Sequence, residues 1–176
     1  RSVYQNIGAT QRKGAELGVT ADLPAHFETR IAYSYLRAVV ADSYTGCAGA
    51  PCITSVIPAG NYLPGVPQNI LYAGLTWRHP ASGFVATAET LVRSGIYADD
   101  RNNGHAGGYW TENLRAGFEQ KSPGWQTSEF VRIENLFNKS YVGAVIVNDT
   151  NSRFFEPAPG FGVFVMFEAK YLDPRG

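Results

Sequence analysis

The chain contains ENLFNKSYVG at residues 134–143, FEPAPG at residues 155–160 and then an alternating run over residues 163–171. In that last run, apolar side chains at every second position alternate with a set that includes Glu168 and Lys170. Successive side chains of a β-strand point to opposite faces, so the alternation predicts a strand with two different faces. The Pro and Gly residues before it predict a turn. The chain is therefore expected to end as a loop followed by a closing strand.

Composition agrees with an all-β fold. Of 176 residues, 44% are hydrophobic and 13% aromatic, which excludes a disordered chain. The 19 Gly and 10 Pro, together with 10 Tyr and 10 Phe, predict many strands joined by turns. Fifteen basic residues balance fifteen acidic ones, so no long-range field attracts nucleic acid, and nucleic acid is not an expected partner.

The rest of the chain divides into segments that alternate in the same way. With the closing run, seven strands are predicted, over about residues 10–21, 27–40, 69–79, 84–97, 109–121, 125–137 and 163–171. The second has about 14 residues, more than the usual five or six, and is long enough to cross a bilayer at the tilt of a barrel wall. Within it, Glu28 and Arg30 share one face. Length and patterning together indicate a membrane sheet.

The connections between these strands alternate between short and long. Short turns are predicted near residues 23–26, 79–83 and 122–124, and long polar loops near residues 42–62, 99–108 and 147–160. This asymmetry is typical of transmembrane β-barrels, which have tight periplasmic turns and long extracellular loops. The alternative is a soluble or surface β-sandwich that binds carbohydrate or a protein partner through its loops and buries the same apolar faces against a second sheet.

The order of these motifs resembles the C-terminal part of the TonB-dependent outer-membrane receptors, in their ferric-siderophore branch. The resemblance rests on Asn135-Leu136-Phe137, the following Tyr-Val, the aromatic-Glu-Pro-x-Pro-Gly turn and the closing strand. It implies that residues 1–171 form about seven antiparallel up-and-down strands, the C-terminal third of a transmembrane β-barrel, with a tail at 172–176. That tail and Phe161, where relatives commonly have Arg, depart from the pattern.

The resemblance also implies a location and partners. They are the bacterial outer membrane, its lipid, a ferric siderophore or similar iron chelate, and the TonB protein, which would be reached through a plug domain that this stretch lacks. The chain opens at Arg1 without Met or a signal-peptide pattern, so a piece of a longer protein is expected. No cofactor is implied.

A chelate of this kind is anionic or neutral and often aromatic, so its site should present Arg and aromatic side chains from the long loops. The loop and loop-edge residues of those types are Tyr44, Tyr62, Tyr97, Arg101, Tyr109, Arg153 and Phe154. The alternative interpretation is that the tyrosines anchor the membrane interface and that Arg153 pairs with Asp149 or Glu156.

Cys47 and Cys52 lie in one loop and are predicted to form a disulfide, which implies an oxidising compartment. Free thiols or half of a zinc site are the alternatives. The adjacent Asp99 and Asp100 do not have calcium-loop spacing, so solvated charge is the favoured interpretation.

Catalysis and a metal site are not expected. The chain contains no Gly-x-Ser-x-Gly, no His-Glu-x-x-His and no phosphate-binding Gly loop. Two carboxylates, Glu28 and Glu89, have Arg30 and Arg93 close by in sequence and are interpreted as parts of an ionic lattice along the wall.

Overall fold

The computed structural model describes residues 8–48, 53–149, 151 and 153–172. These residues contain thirteen strands: β1 (Thr10–Leu23), β2 (Phe27–Val40), β3 (Tyr44–Ala48), β4 (Ile53–Ile57), β5 (Asn69–Arg78), β6 (Phe84–Arg93), β7 (Ile96–Tyr97), β8 (His105–Ala106), β9 (Tyr109–Ser122), β10 (Trp125–Glu134), β11 (Val142–Val145), β12 (Phe155–Pro157) and β13 (Gly162–Tyr171). A 3₁₀ turn at Pro24–His26 joins β1 to β2. Among the described residues, no helix has the length and hydropathy to span a membrane.

Seven strands make one antiparallel sheet in the order β1-β2-β5-β6-β9-β10-β13. Each of these wall strands is hydrogen-bonded to the next wall strand along the chain, so the sheet is an up-and-down meander. The remaining strands form three short hairpins, β3 with β4, β7 with β8, and β11 with β12. Each hairpin lies in one of the three long connections, all at the same end of the sheet. The prediction of an all-β chain with about seven antiparallel strands is confirmed.

The wall has two faces, set by the register of its strands. On one face, which we call the apolar face, Val19, Ile31 and Ala73 are directly opposite one another. Large apolar side chains on it are exposed, including Leu17 at 59% and Val165 at 81%. No second large sheet covers this face within the part of the chain that the structure describes.

The opposite face, which we call the polar face, carries most of the ionisable residues of the wall, whereas Lys13, Arg37, Glu112 and Glu129 are in register with the apolar face. The polar face also contains a buried ring, Phe130, which is 3% exposed and lies under the Arg115 guanidinium, 3.5 Å from the ring centroid. Gly117 makes room for this ring, because a Cβ there would lie 1.9 Å from the Glu129 carbonyl oxygen and 2.6 Å from a ring carbon of Phe130. A side chain at position 117 is therefore incompatible with the sheet as it stands.

Aromatic rings line the end of the sheet that has the short turns. The Trp77 ring lies 6.4 Å from Phe27 and 6.1 Å from Phe84, and Phe84 lies 5.3 Å from Phe118. Trp125 and Tyr171 add a further contact at 5.3 Å. Rows of this kind occur where a barrel wall meets the membrane interface.

Two strands end earlier than predicted. β6 ends at Arg93. Two residues later the backbone at Gly95 passes close to His105, because a Cβ on Gly95 would lie 2.5 Å from the His105 Nε2 atom. Residues Ile96 and Tyr97, predicted as its continuation, form a separate hairpin with β8. β10 stops at Glu134 because Asn135 adopts a positive φ of 49°.

Candidate functional site

The first loop packs against β2. Its buried residues Ile57 and Leu63 join Ala38 and Val40 of β2 in one cluster, and the Tyr44 ring packs on it. Burial, and after it the charge of Asp100, raise the pKa of Tyr44 to about 12. Tyr44 is thus part of the loop's own core.

The second loop is organised by Asp99, which is 5% exposed. Its carboxylate accepts hydrogen bonds from the backbone amides of Arg101 (2.9 Å), Asn103 (3.3 Å) and Gly104. The oxygens of Asp99 are therefore occupied by the loop itself. Within the described residues, no three His, Cys, Asp or Glu side chains are grouped closely enough to hold a metal ion.

Asparagine side chains connect the second loop to the other two loops. Asn102 accepts a hydrogen bond from the Tyr62 amide and donates one to the Tyr62 carbonyl, both at 2.8 Å. Asn148 of the third loop donates to the Asp100 carboxylate at 2.9 Å and accepts from the Asp100 amide at 3.0 Å. Asn61 donates to the Asp100 carbonyl at 2.8 Å. We call these contacts the loop junction.

Aromatic stacking adds to the loop junction. The rings of Tyr62 and Tyr97 are stacked with their centroids 5.8 Å apart, and His105 lies 5.1 Å from Tyr97. The Phe154 ring lies against Gly104, where a Cβ would be 3.2 Å from its Cδ2 atom.

Both predicted loop arginines have exposed side chains. The Arg101 side chain is 43% exposed, and its Nε atom lies 3.9 Å from Asp99. Arg153 is exposed, and its backbone amide donates to Asp149 at 2.9 Å. Its side chain makes no ion pair with Asp149 or Glu156 within 4.0 Å among the residues that the structure describes.

Tyr109 lies apart from the other predicted residues, in a stack that the sequence did not predict. The Arg93 guanidinium lies 4.8 Å from the centroid of the Tyr109 ring. The centroids of the Tyr109 and Tyr141 rings are 4.1 Å apart. Burial raises the pKa of Tyr141, and Tyr109 and Glu134 add to that effect. A cleft of about 390 Å³ lies here, lined by Gly107, Gly108, Tyr109, Trp110, Lys139, Ser140, Tyr141 and Val142.

The structure therefore brings Tyr44, Tyr62, Tyr97, Arg101 and Phe154 around residues 97–104, and leaves Tyr109 and Arg153 outside that group. The predicted disulfide cannot be placed, because Cys52 and the side chain of Cys47 lie outside the described part of the chain. It stays a prediction.

A second polar region lies on the polar face of the wall. Glu89 pairs with Arg132 at 2.9 Å and accepts a hydrogen bond from the Tyr72 hydroxyl at 2.9 Å. Arg78 pairs with Glu119 at 3.0 Å. Glu89 is thus part of an ionic network on the wall, as predicted, while Arg93, close to it in sequence, lies on the Tyr109 ring. Glu28 and Arg30 make no ion pair within 4.0 Å among the described residues.

Four residues of this end were not predicted to contribute to the site: Arg93, Tyr141, Asn102 and Asn148. Arg93 and Tyr141 are 48 positions apart and carry no local motif, so only the strand register brings them together. The asparagines have a local signal, since Asn102 and Asn148 both adopt positive φ, which asparagine tolerates better than most residues.

The motif ENLFNKSYVG forms the turn that leaves β10. Asn135 is 4% exposed; its amide donates to the carbonyls of Lys139 (2.8 Å) and Pro159 (3.3 Å) and its oxygen accepts from the Lys139 amide (2.9 Å). Asn138 accepts from the Phe161 amide at 3.0 Å. The two asparagines thus tie this turn to the segment that enters β13.

Residues 1–138 match the family model described as TonB dependent receptor-like, beta-barrel. Among solved structures, the siderophore receptor PiuA from Acinetobacter baumannii is similar over 92% of this chain, at 18% identity and a TM-score of 0.75. The ferric yersiniabactin uptake receptor FyuA from Yersinia pestis is similar over 90%, at 17% identity and a TM-score of 0.67. This chain covers 22% and 23% of those two proteins. At such identities, the structural likeness shows the fold.

Proposed function

This chain belongs to the TonB-dependent receptor family, as a fragment of its β-barrel domain, and from that premise we propose that it forms barrel wall and extracellular loops of a receptor that takes up a ferric siderophore or similar iron chelate. The observation that carries the proposal is the two-faced sheet with all three long loops at one end. The same proposal includes transport of the chelate by the whole receptor and contact between that receptor and TonB through a plug domain.

The apolar face supports a place in the outer membrane. The outward-facing residues of a barrel wall contact lipid. On this sheet, the residues of the apolar face are apolar along most of the length of the strands. The polar face, with its paired Glu89 and Arg132, suits the wetted interior of a barrel. The β-sandwich alternative requires a second sheet over the apolar face, and none of the described residues supplies it.

The loop end supports a chelate as the ligand. Its exposed Arg101 can donate to carboxylate or catecholate oxygens, and the aromatic rings around Tyr97 offer flat surfaces. The structural neighbours are named as a siderophore receptor and a ferric yersiniabactin uptake receptor, which agrees with this class of ligand.

Growth of an iron-starved strain tests the ligand. The full-length receptor containing this segment is expected to restore growth on at least one member of a siderophore panel. Arg101→Ala and Arg153→Ala should each raise the half-saturating concentration by at least about tenfold, since a charge-assisted hydrogen bond contributes roughly 1.5–3 kcal/mol.

The matched control is Lys121→Ala, an exposed cation at the opposite end of the sheet. It should leave uptake unchanged. If iron limitation neither induces the receptor nor makes growth depend on it, the ligand assignment is wrong, while the barrel assignment stands.

A further inference from the structure

Two cations are directly opposite each other on the apolar side of the wall. Lys13 of β1 is paired in register with Arg37 of β2. Both have the same parity as the exposed apolar residues of their strands, such as Leu17 and Tyr33. The unbroken β1 and β2 pairing therefore places both side chains on the outward side.

Their height on the wall coincides with the edge of the apolar band. Leu23 and Phe27 begin the band at the short-turn end, and Lys13 and Arg37 each lie ten positions further along their strands. At about 3.4 Å per residue and a tilt of 35–45°, ten positions correspond to about 24–28 Å along the barrel axis. Outer-membrane barrels have an apolar band about 25 Å tall, so the pair lies at its loop-end boundary.

Tyrosines mark the same boundary. Tyr35, directly below Arg37 on the same face, and Tyr33 below it are each 38% exposed. Tyrosine at this depth is typical of the membrane interface, where its ring meets lipid and its hydroxyl meets head groups. The two cations therefore lie at the level of the head groups.

The pair has no anionic partner in the described part of the chain. Neither Lys13 nor Arg37 is in an ion pair within 4.0 Å there, although Arg78, Arg101, Arg115 and Arg132 are. Like charges directly opposite each other across two strands destabilise the pairing. A bound anion would remove that cost.

We propose that Lys13 and Arg37 bind a phosphate group of a phosphorylated glycolipid in the outer leaflet. The Arg37 guanidinium can donate to two phosphate oxygens at once, and the Lys13 ammonium adds a second charge. The acyl chains of the same lipid would lie along Leu17, Val19 and Ile31. The inference rests on the proposed membrane placement of the apolar face.

The test uses the full-length receptor in nanodiscs of neutral phospholipid doped with diphosphoryl lipid A or with fully dephosphorylated lipid A. Retention of lipid A is measured by native mass spectrometry. The wild type should prefer the diphosphoryl form. The double variant with Lys13→Gln and Arg37→Gln should bind it about 25-fold more weakly, at about fivefold per cation. Arg12→Gln is the matched control, because Arg12 is next in sequence but on the other face, donating to Thr10.

Three outcomes overturn the proposal: equal retention of the two lipids by the wild type, unchanged binding in the double variant, or an equal loss in Arg12→Gln. Displacement by inorganic phosphate at an equal concentration would show a free-anion site and also overturn it. Iron uptake by the double variant should stay at the wild-type level. Failure here therefore leaves the uptake proposal intact, and failure of uptake leaves this one intact.

Discussion

At the scale of single residues, Asn135 does the most to join distant parts of the chain. It ends β10 with a positive φ of 49°, and its side chain holds Lys139 and Pro159 through three hydrogen bonds. An asparagine is suited to this position because it tolerates the left-handed region and has both a donor and an acceptor. The entry to the closing strand depends on it.

We predict that Asn135→Ala lowers the free energy of unfolding by about 2–4 kcal/mol, because it strains the backbone and leaves buried backbone groups unpaired. Asn135→Asp, which keeps the acceptor for the Lys139 amide, should recover part of this loss. Asn138→Ala, at an exposed position with φ of 48°, should cost about 1 kcal/mol. Urea unfolding of the folded receptor measures all three, and equal costs at the two positions would contradict this role.

At the scale of elements, the sequence was sufficient for the wall and insufficient for the loops. Period-two alternation located all seven wall strands because each has one face that is apolar over many residues. The hairpins within the loops were missed because β7 with β8 and β11 with β12 have only two to four residues a strand, too few for a period to show. Of the predicted site residues, those near Asp99 do meet, but the Arg93, Tyr109 and Tyr141 stack depends on register that no local pattern reveals.

We predict that the first loop loosens at high pH. The folded-state pKa of Tyr44, about 12, lies above its ordinary value of 10.0, so the stabilisation is complete below about pH 10 and is lost as the pH rises towards 12. A spin label at the exposed Thr54 should become more mobile over that range. The same label in Tyr44→Phe should show no such transition, and an identical transition in both proteins would mean that another group is responsible.

At the scale of the whole molecule, the wall should separate two solvents. Residues of its apolar face lie opposite one another on neighbouring strands, and residues of its polar face form ion pairs. This arrangement follows from alternation on every wall strand and requires no single residue. It is also the feature that the sequence predicted most completely.

We predict that a membrane-soluble thiol reagent separates the two faces in the full-length receptor. Single cysteines on the apolar face should be labelled strongly, and neighbours on the polar face weakly, by several-fold at least. The apolar set is Ile31, Tyr33, Leu71 and Leu75, and the matched polar set is Arg30 and Ser34. Labelling to the same extent in both sets would exclude lipid contact with the apolar face.

The order of contacts along the chain also has a consequence for assembly. Every wall strand pairs with the next wall strand, so the sheet can form by adding one strand at a time, across a short turn or a long loop in alternation. The loop junction is different, since Asn148 and Asp100 are 48 positions apart and meet only when two hairpins of the wall are already side by side. The wall is therefore expected to form first and the contacts between the loops last, so the loop end is expected to be the final part of the molecule to reach its native structure.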